Sequence, residues 1–586
     1  MRDGIKLFTS IYVPKDSSAK HPIMMMRTPY SCEPYGENKF AKFWTRNTKE
    51  YLLQKYIVVI QDVRGRYMSE GIFEDIRPYI ENKKTPKDVD EASDTFDAID
   101  WLVKNIPSCN GNVGISGISY PGFYSTMAAL CGHPALKAVS PQAPVTNWFL
   151  GDDVHHKGAF FLMDNFDFDY FFGAPRPKPT TVHRNGPTYR SSDNYDFFLR
   201  QGTLKNLTKN FMGDTMKFWQ EEMNHPNYDD FWKSRTITFH LNNIKPAVLI
   251  TGGLFDAEDC WGAWNTYKII EKQSPGTVNK IAVGPWSHGG WARGDGGHLG
   301  NLRFGKGVSD YYYQHIELPF FNYYLKGEGD GNKLAEASVF ISGENEWHEF
   351  GEWPPKNVTV KPVYLDQKGL LNFTKPAASA GSSEYTSDPS RPVPYTEDVH
   401  LKRTREYMTD DQRFASRRPD VLVFKTDTLM QDMTLTGPVI ADLFVSLSTT
   451  DADFVVKVID VFPDNFVYKG DSGRNSSSYP MGGYQMLVRG EVMRGKFRKS
   501  FEKPEAFTPG KIEEVKFELP DVAHTFQKGH RIMIQIQSSW FPLVDRNPQQ
   551  FVDIYHCDEK DFVKSDIHIY HDAKNASAIL LPVLTK

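Results

Sequence analysis

Short apolar runs alternate with amphipathic stretches over the first quarter of the chain. The runs at 21–28 and 55–63 are short continuous apolar runs, which is typical of parallel strands buried on both faces, and residues 136–144 form a further predicted strand. In residues 88–105 the apolar positions recur every three or four residues, and acidic residues crowd the N-terminal end, where the helix dipole favours them. Residues 40–56 are also compatible with a helix. Strands alternating with helices predict an α/β protein with a doubly wound parallel sheet.

Two later regions depart from this pattern. From about Val145 to Pro246 the chain is irregular and rich in aromatic residues, which predicts a helical cap inserted into the α/β domain. The α/β pattern returns at PAVLITGGLFD (246–256) and NKIAVGPWSH (279–288). After about residue 335 short β-rich runs follow one another, which predicts a jelly-roll β-sandwich with a long loop at 375–394. The predicted ranges are 1–145 and 246–335 for the α/β domain, 146–245 for the cap and 336–586 for the jelly roll.

Composition excludes several functional classes. The chain has 586 residues, enough for two to four domains, and its net charge of −5 gives no basic surface for nucleic acid. No apolar run approaches the roughly 18 residues that a membrane span needs. The five cysteines are scattered without CxxC spacing, so they predict neither a zinc site nor a disulfide framework.

The first residues bear on localisation. MRDGIKLFTSIYVP already alternates like a strand, so we expect that a preceding segment, such as a cleaved signal peptide, has been removed. This predicts a periplasmic or secreted protein, with a cytoplasmic location as the alternative.

A glycine-rich turn suggests the reactive group. GISGISYPGF (114–123) places Ser119 between a strand-like run and an apolar helix, with Gly117 before it and Gly122 after it. The turn is either a tight strand-to-helix connection without chemistry or a nucleophile elbow. Pro121 stands where an elbow usually has its second glycine, and a proline is tolerated in the first helical turn. The rival nucleophile Ser116 precedes the turn.

Two further residues complete a candidate triad. Asp256 ends the predicted strand at 246–256, and His288 ends the predicted strand at 279–288. The carboxyl ends of parallel strands meet at one edge of the sheet, where such proteins bind their ligands. The order serine, acid, histidine is that of the α/β-hydrolase triad. The sequence therefore predicts an α/β-hydrolase fold with a serine nucleophile and no cofactor or metal.

Five motifs together resemble a known family. They are RTPY (27–30), QDVRGRYMSEG (61–71), GISYPG (117–122), GLFDAEDCWG (253–262) and GPWSHGG (284–290). The set is similar to the α-amino acid ester hydrolases, in the group that includes cocaine-esterase-type hydrolases, glutaryl-7-aminocephalosporanic acid acylase-like proteins and X-Pro dipeptidyl-peptidases. The resemblance covers nearly the whole chain.

The resemblance implies a role for each site residue. Ser119 would be the nucleophile, His288 the general base and Asp256 the group that orients His288. The oxyanion hole would use the backbone N–H of Tyr120 and the hydroxyl of Tyr30. It also implies an amino acid ester, an amide or a short peptide as substrate, and a homo-oligomer.

Three acidic residues match the ammonium-binding cluster of that family. Glu258 and Asp259 follow Asp256 directly, and Asp153 precedes the cap. Three carboxylates brought together raise one another's pKa, and a cationic ligand relieves the repulsion. The alternative for DAED (256–259) is a solvated loop. The neighbouring Asp152, Asp153, His155 and His156 include metal-ligand types, but their spacing does not support a metal site.

Three functions remain open from the sequence. The leading hypothesis is a serine hydrolase or acyltransferase acting on α-amino acid esters or amides. The second is an X-Pro dipeptidyl-peptidase or a cocaine-esterase-like carboxylesterase. The third, of another class, is a glycan-binding jelly-roll protein with an inactive hydrolase domain, and the complete set of Ser119, Asp256 and His288 argues against it.

Overall fold

The computed structural model describes residues 1–16, 18–41, 45–188, 191–469 and 479–585. The N-terminal part alternates strands and helices, as predicted. Its elements are β1 (Thr9–Tyr12), β2 (His21–Thr28), α1 (Arg46–Leu53), β3 (Ile57–Asp62), α2 (Glu91–Asn105), β4 (Cys109–Ser119), α3 (Tyr120–Ala129) and β5 (Leu136–Pro144). The helix predicted at 40–56 therefore begins later, and positions 42–44 of it lie outside the described residues.

The cap follows β5 and is mainly helical. Its elements are β6 (His155–His156), β7 (Ala159–Phe160), α4 (Leu162–Phe172), α5 (Asn194–Gln201), α6 (Leu204–Leu207), α7 (Lys217–Asn224) and α8 (Asp230–Ser234). The chain then returns to the α/β pattern. Its elements here are β8 (Ala247–Gly253), α9 (Cys260–Gln273), β9 (Asn279–Gly284), β10 (His298–Leu299), β11 (Leu302–Arg303), α10 (Val308–Tyr312), α11 (Leu318–Lys326), β12 (Ala337–Ile341) and β13 (Glu346–Phe350).

Within the described residues, nine strands form the first sheet, in the order β1-β3-β2-β4-β5-β8-β9-β12-β13. All neighbours from β3 to β12 are parallel, and only the two edge pairs, β1 with β3 and β12 with β13, are antiparallel. Every residue of β8 and β9 is buried, as expected of strands covered by helices on both faces. The predicted α/β class is confirmed.

Strands β12 and β13 extend this first sheet, although the sequence analysis assigned them to the jelly roll. Residues 337–339 pair in parallel with 281–283 of β9. The four domain ranges stay a prediction, but the expected boundary after residue 335 separates these strands from the sheet they join.

The C-terminal part is rich in β-strands. Its elements are β14 (Val358–Asp366), β15 (Leu370–Asn372), β16 (Ser382–Ser387), α12 (Arg413–Ser416), β17 (Leu422–Lys425), β18 (Met433–Leu447), β19 (Asp453–Val461), β20 (Gln485–Arg494), β21 (Glu513–Phe526), β22 (Arg531–Gln537), β23 (Ser565–Tyr570) and β24 (Ala578–Leu584). All of these strands belong to one large sheet of the described chain. The loop predicted at 375–394 was wrong in part, because β16 lies within it and pairs with β23.

Among the described residues, no helix combines the length and the apolar character needed to cross a membrane.

Candidate active site

Ser119 occupies a strained turn between β4 and α3. Its backbone has φ 70° and ψ −128°, a combination that costs a non-glycine residue on the order of 1–3 kcal/mol and is typical of functional turns. The flanking glycines allow the close packing of this turn. A Cβ on Gly117 would lie 2.4 Å from the carbonyl oxygen of Pro121, and one on Gly122 would lie 2.6 Å from that of Gln142. Ser119 therefore has the geometry of a nucleophile elbow, with Gly122 placed for close approach to β5.

The structure brings His288 and Asp256 together. Nδ1 of His288 lies 3.1 and 3.0 Å from the two carboxylate oxygens of Asp256. Oδ1 of Asp256 also accepts the backbone N–H groups of Glu258 and Asp259, at 2.9 and 3.1 Å. The sequence analysis placed both residues at strand ends, and this was inaccurate. β8 ends at Gly253 and β9 at Gly284, so Asp256 and His288 lie on the loops that follow.

The other nitrogen of His288 faces an unexpected partner. Nε2 lies 3.1 Å from Oε2 of Glu258. No hydrogen bond joins Ser119 to His288 in this part of the described chain, although both side chains line one cavity. His288 is thus held between two carboxylates in the substrate-free site.

This arrangement fixes the charge of His288. Burial disfavours the imidazolium, but the charges of Asp256 and Glu258 outweigh it and raise the pKa of His288 to about 9. The same interaction lowers the pKa of Asp256, against the effect of its own burial. The two carboxylates therefore favour the imidazolium form of His288.

Two candidate oxyanion donors lie beside Ser119. Tyr120 is the first residue of α3, so its backbone N–H has no acceptor within its own helix. Tyr30 lines the same cavity, 36% exposed, with its ring edge-on to that of Tyr120 at a centroid distance of 6.3 Å. Desolvation in the cavity, followed by the charges of Asp153 and Glu258, raises the pKa of Tyr30 well above its usual value. Its hydroxyl therefore keeps its proton and can donate.

Two cavities meet at Ser119. The catalytic cavity, of about 620 Å³, lies under the cap and is lined by Ser119, Tyr30, Asp153 and Glu258, among others. The sheet-side cavity, of about 450 Å³, is lined by Ser119, Tyr30 and His288. Ser119 thus borders both cavities.

The predicted carboxylate cluster forms one side of the site, which we call the carboxylate wall (Asp153, Glu258 and Asp259). Asp153 accepts a hydrogen bond from Nε1 of Trp148 at 3.1 Å, and burial together with Glu258 raises the pKa of Asp153 to about 8. Asp259 is fully buried and neither of its carboxyl oxygens has a hydrogen-bond partner. Burial and the charge of Asp153 raise the pKa of Asp259 well above its usual value. These two residues agree with the expected mutual repulsion.

Glu258 departs from that expectation because of Arg403, a residue that the sequence analysis missed. Arg403 contacts Oε1 of Glu258 and also donates to Asp164 of α4 at 2.5 Å. Burial disfavours ionisation of Glu258, but the charges of His288 and Arg403 lower its pKa. Arg403 lies between β16 and β17, 145 residues after Glu258, and no local motif marks it.

The residues weighed as metal ligands serve separate contacts. Asp152 accepts hydrogen bonds from the backbone N–H groups of Thr146 and Gly262, at 2.8 and 2.7 Å. His155 contacts the hydroxyl of Tyr555 at 2.6 Å, and His156 contacts Glu491 at 2.9 Å. The two histidines therefore connect the cap to the C-terminal part, whereas Asp152 connects the start of the cap to α9.

Comparison with known proteins agrees with this geometry. Residues 3–290 match the family described as X-Pro dipeptidyl-peptidase (S15 family), and residues 318–580 match the X-Pro dipeptidyl-peptidase C-terminal non-catalytic domain. An α-amino acid ester hydrolase of solved structure is 35% identical, with a TM-score of 0.91 over all of this chain and 95% of that one. The chain belongs to the S15 family.

Other S15-like proteins extend the comparison. An aminopeptidase from a marine sediment Thaumarchaeota archaeon is also 35% identical, with a TM-score of 0.91 and the same coverage. The cocaine esterase of Rhodococcus sp. (strain MB1 Bresler) is 27% identical over all of this chain and 97% of its own length. The protein is therefore a serine hydrolase with an α/β-hydrolase domain and a C-terminal β domain, and the predicted resemblance is confirmed.

Proposed function

We propose that this S15 hydrolase cleaves esters or amides of α-amino acids, with the carboxylate wall binding the substrate's α-ammonium. The observation that carries the proposal is that Asp153 and Glu258 line the cavity of Ser119 and Asp259 adjoins them, while among the described residues Asp153 forms no ion pair and Asp259 approaches only His288, at 3.9 Å. Burying carboxylates without a counter-charge is costly, and an ammonium ligand removes that cost. The 35% identical ester hydrolase and aminopeptidase have names that fit such a substrate.

The proposed reaction uses Ser119 as nucleophile. Its Oγ attacks the ester or amide carbonyl while Nε2 of His288 takes the hydroxyl proton, and the same proton then goes to the leaving alcohol or amine. Asp256 holds the imidazole through Nδ1. Water attacks the resulting acyl-enzyme with His288 again as base. The N–H of Tyr120 and the hydroxyl of Tyr30 would donate to the oxyanion.

The substrate's charge has a second role in this mechanism. A general base must be neutral, yet Glu258 and Asp256 hold the pKa of His288 at about 9. An ammonium bound at the carboxylate wall attracts Glu258 away from His288, and its positive charge disfavours the imidazolium. Both effects lower the pKa of His288. We infer that amino acid substrates thereby help to produce the reactive form of the histidine and free Nε2 for Ser119.

The closest alternative is X-Pro dipeptidyl-peptidase activity, which the family match favours. An X-Pro dipeptidyl-peptidase also binds a free ammonium, but in its substrate that ammonium belongs to the second residue before the scissile bond. In an α-amino acid ester it belongs to the first. The position of the carboxylate wall in the cavity of Ser119 favours the single amino-acyl residue. Homo-oligomer formation and a periplasmic or secreted location stay predictions from the sequence.

A substrate comparison tests the proposal. We expect phenylalanine methyl ester and phenylalanine anilide to be cleaved with a kcat/KM at least tenfold above that of 3-phenylpropionate methyl ester and glycyl-proline anilide. Removing one partner of a buried charge pair costs about 2–5 kcal/mol, so Asp153→Asn should reduce the preference for the amino ester at least tenfold. Asp167→Asn, which changes another carboxyl lining the same cavity, is the matched control and should retain it.

Two results would contradict the proposal. One is equal turnover of amino and des-amino esters by the unmodified enzyme. The other is faster cleavage of the glycyl-proline anilide, which would assign X-Pro dipeptidyl-peptidase activity. Labelling by a fluorophosphonate that disappears in Ser119→Ala would separately establish the nucleophile.

A further inference from the structure

A second pair of buried carboxyl groups lies in the cap, away from the carboxylate wall. Glu222 of α7 and Asp169 of α4 are 1% and 2% exposed, and their carboxyl groups are in contact. Burial raises the pKa of both groups well above the usual value, and a second carboxyl adds to it in each case, Asp169 for Glu222 and Asp75 for Asp169. The reaction proposed above uses neither residue.

Within the described chain these carboxyls lack donors. Neither oxygen of Glu222, nor Oδ2 of Asp169, accepts a hydrogen bond from a protein donor among the described residues. A buried polar group without a partner costs about 1–3 kcal/mol, and more when it is charged. The two carboxyl groups can share a proton with each other, but only a cation can balance them once they are ionised.

The nearest arginines are occupied elsewhere. Arg66 donates to the carbonyl oxygens of Pro29 and Phe172, at 3.1 and 3.0 Å. Arg235 donates to the carbonyl oxygen of Phe231 at 3.2 Å and contacts Glu74 at 3.4 Å. In the described part of the chain neither arginine forms an ion pair with the carboxyl pair.

Three basic residues line the catalytic cavity, Lys402, Arg403 and Arg405. Lys402 acts electrostatically on Asp167, and Arg403 binds Asp164 and Glu258. All three belong to the segment between β16 and β17, whereas Glu222 belongs to the cap. Neither carboxyl oxygen of Glu222 accepts a hydrogen bond from them or from any other described basic side chain.

Glu222 nevertheless faces the place where substrate would lie. It lines the same cavity of about 620 Å³ as Ser119 and Asp153. On α7 it follows Phe218 by one helical turn, and Phe218 lines that cavity too. Four aromatic side chains, which we call the aromatic wall, also line this cavity, together with polar and charged ones. They are Trp148, Phe168, Phe171 and Phe218.

Three parts of this cavity are complementary to an acyl group that is cationic at both ends. The carboxylate wall beside Ser119 would hold the α-ammonium, the aromatic wall suits an aliphatic stem, and the unpartnered carboxyl pair suits a cation at its end. A flexible four-carbon stem with a terminal ammonium is the side chain of lysine, which packs its methylene groups on aromatic surfaces while its head is ionised.

We propose that Glu222, supported by Asp169, binds the cationic side-chain terminus of the substrate's acyl residue, so that basic α-amino acyl groups of the lysine type are preferred. This inference depends on the proposed function for the orientation of the substrate. A cation at hydrogen-bond distance favours the ionised carboxylate, so the ligand supplies the counter-charge that the chain does not.

Binding without turnover tests the inference. The Ser119→Ala protein is titrated calorimetrically with L-lysinamide and with L-norleucinamide, which differ only in the terminal ammonium. We expect L-lysinamide to bind at least tenfold more tightly. Adding Glu222→Gln should remove that preference and leave the affinity for L-norleucinamide within about twofold.

Controls keep this result specific. Glu221→Gln removes the same charge from the neighbouring residue, which forms an ion pair with Lys217 at 3.2 Å and does not line the catalytic cavity. It should leave the preference for lysine intact. Asp169→Asn keeps the shape of the second carboxyl and should weaken the preference. Circular dichroism of each variant checks that the cap remains folded.

The outcomes separate the two proposals. Tight binding of both amides with no preference for lysine, or a preference unaffected by Glu222→Gln, overturns the side-chain site alone. A preference lost equally in Glu221→Gln also overturns it, because the general negative potential would then be the cause. Binding of neither amide overturns the α-ammonium site, and with it the function on which the inference rests.

Discussion

Two pairs of carboxyl groups in one active site behave in opposite ways. Asp256 and Glu258 have lowered pKa values and are ionised, whereas Asp153 and Asp259 have raised values and hold their protons more tightly. All four are buried or half-buried, so burial does not distinguish them. The difference is how closely a cation approaches, because His288 lies 3.0 Å from Asp256 and 3.1 Å from Glu258, and Arg403 contacts Glu258, whereas His288 is 3.9 Å from Asp259.

This difference separates the reacting side of the site from the binding side. Asp256 and Glu258, which contact His288, orient the catalytic base and favour its charged form. Asp153 and Asp259, whose pKa values are raised, favour the protonated carboxyl, which a cationic ligand would ionise. Both sides of the site can therefore be tested by removing either a reacting group or a counter-charge.

The reacting side should give the largest effect. Ser119→Ala should abolish acyl-enzyme formation, and Asp256→Asn should lower kcat by about 10⁴-fold because the imidazole loses the partner that fixes its tautomer. Single-turnover kinetics with an amino acid ester measure both. Thermal unfolding should confirm that the Asp256→Asn protein remains folded. A loss smaller than tenfold in Ser119→Ala would remove Ser119 from the reaction.

The oxyanion donors should give an intermediate effect. Tyr30→Phe removes one hydroxyl and leaves the ring packed against Tyr120 and Phe172, so the fold should be unchanged. Loss of one donor should lower kcat by roughly 10²–10³-fold. Steady-state kinetics separate kcat from KM, and a change confined to KM would assign Tyr30 to substrate binding.

Removing Glu258, the second carboxylate in contact with His288, should give the smallest effect, a shift in the pH profile of activity. Glu258 raises the pKa of His288, so the Glu258→Gln variant should have a lower one, by about one to three units for a neighbouring opposite charge. The reaction needs neutral His288, hence kcat/KM for a des-amino ester should rise with pH through about 9 in the unmodified enzyme. In Glu258→Gln the same rise should occur at lower pH.

The control for this profile is Asp167→Asn, which alters the cavity charge without contact to His288 and should leave the rise near pH 9. If the rise stays there in Glu258→Gln as well, then Asp256 alone sets the pKa of His288, and the proposed activation by the substrate's ammonium is wrong.

Local patterns were sufficient for much of this molecule. The predicted strands at 21–28 and 136–144 coincide with β2 and β5, and the apolar run IMMM of β2 is what a parallel strand buried on both faces needs. The turn around Ser119 was recognisable because close packing leaves no room for a Cβ at Gly117 or Gly122, and because Pro121 is tolerated in the first turn of α3. Asp256 and His288 were identified correctly as neighbours, although each lies past the strand it was assigned to end.

What the sequence could not give depends on contacts between distant segments. Arg403 is one of many basic residues in a polar stretch, and only folding places it against Glu258. Likewise Glu222 and Asp169 belong to different helices of the cap, where nothing in either local sequence indicates a shared buried site. The charge of a residue can be read from the chain, but its pKa depends on the neighbours that the fold supplies.

Arg403 also has a consequence for the order in which the site can be completed. A ribosome releases the elbow, the acid loop and the histidine long before the stretch containing Arg403, which follows Glu258 by 145 residues. Until that stretch has emerged and docked, Glu258 lacks its guanidinium and the cap lacks the bridge from Asp164. A segment of the C-terminal part therefore completes the centre of the hydrolase domain, and a chain truncated before Arg403 would carry the triad residues without the guanidinium that contacts Glu258.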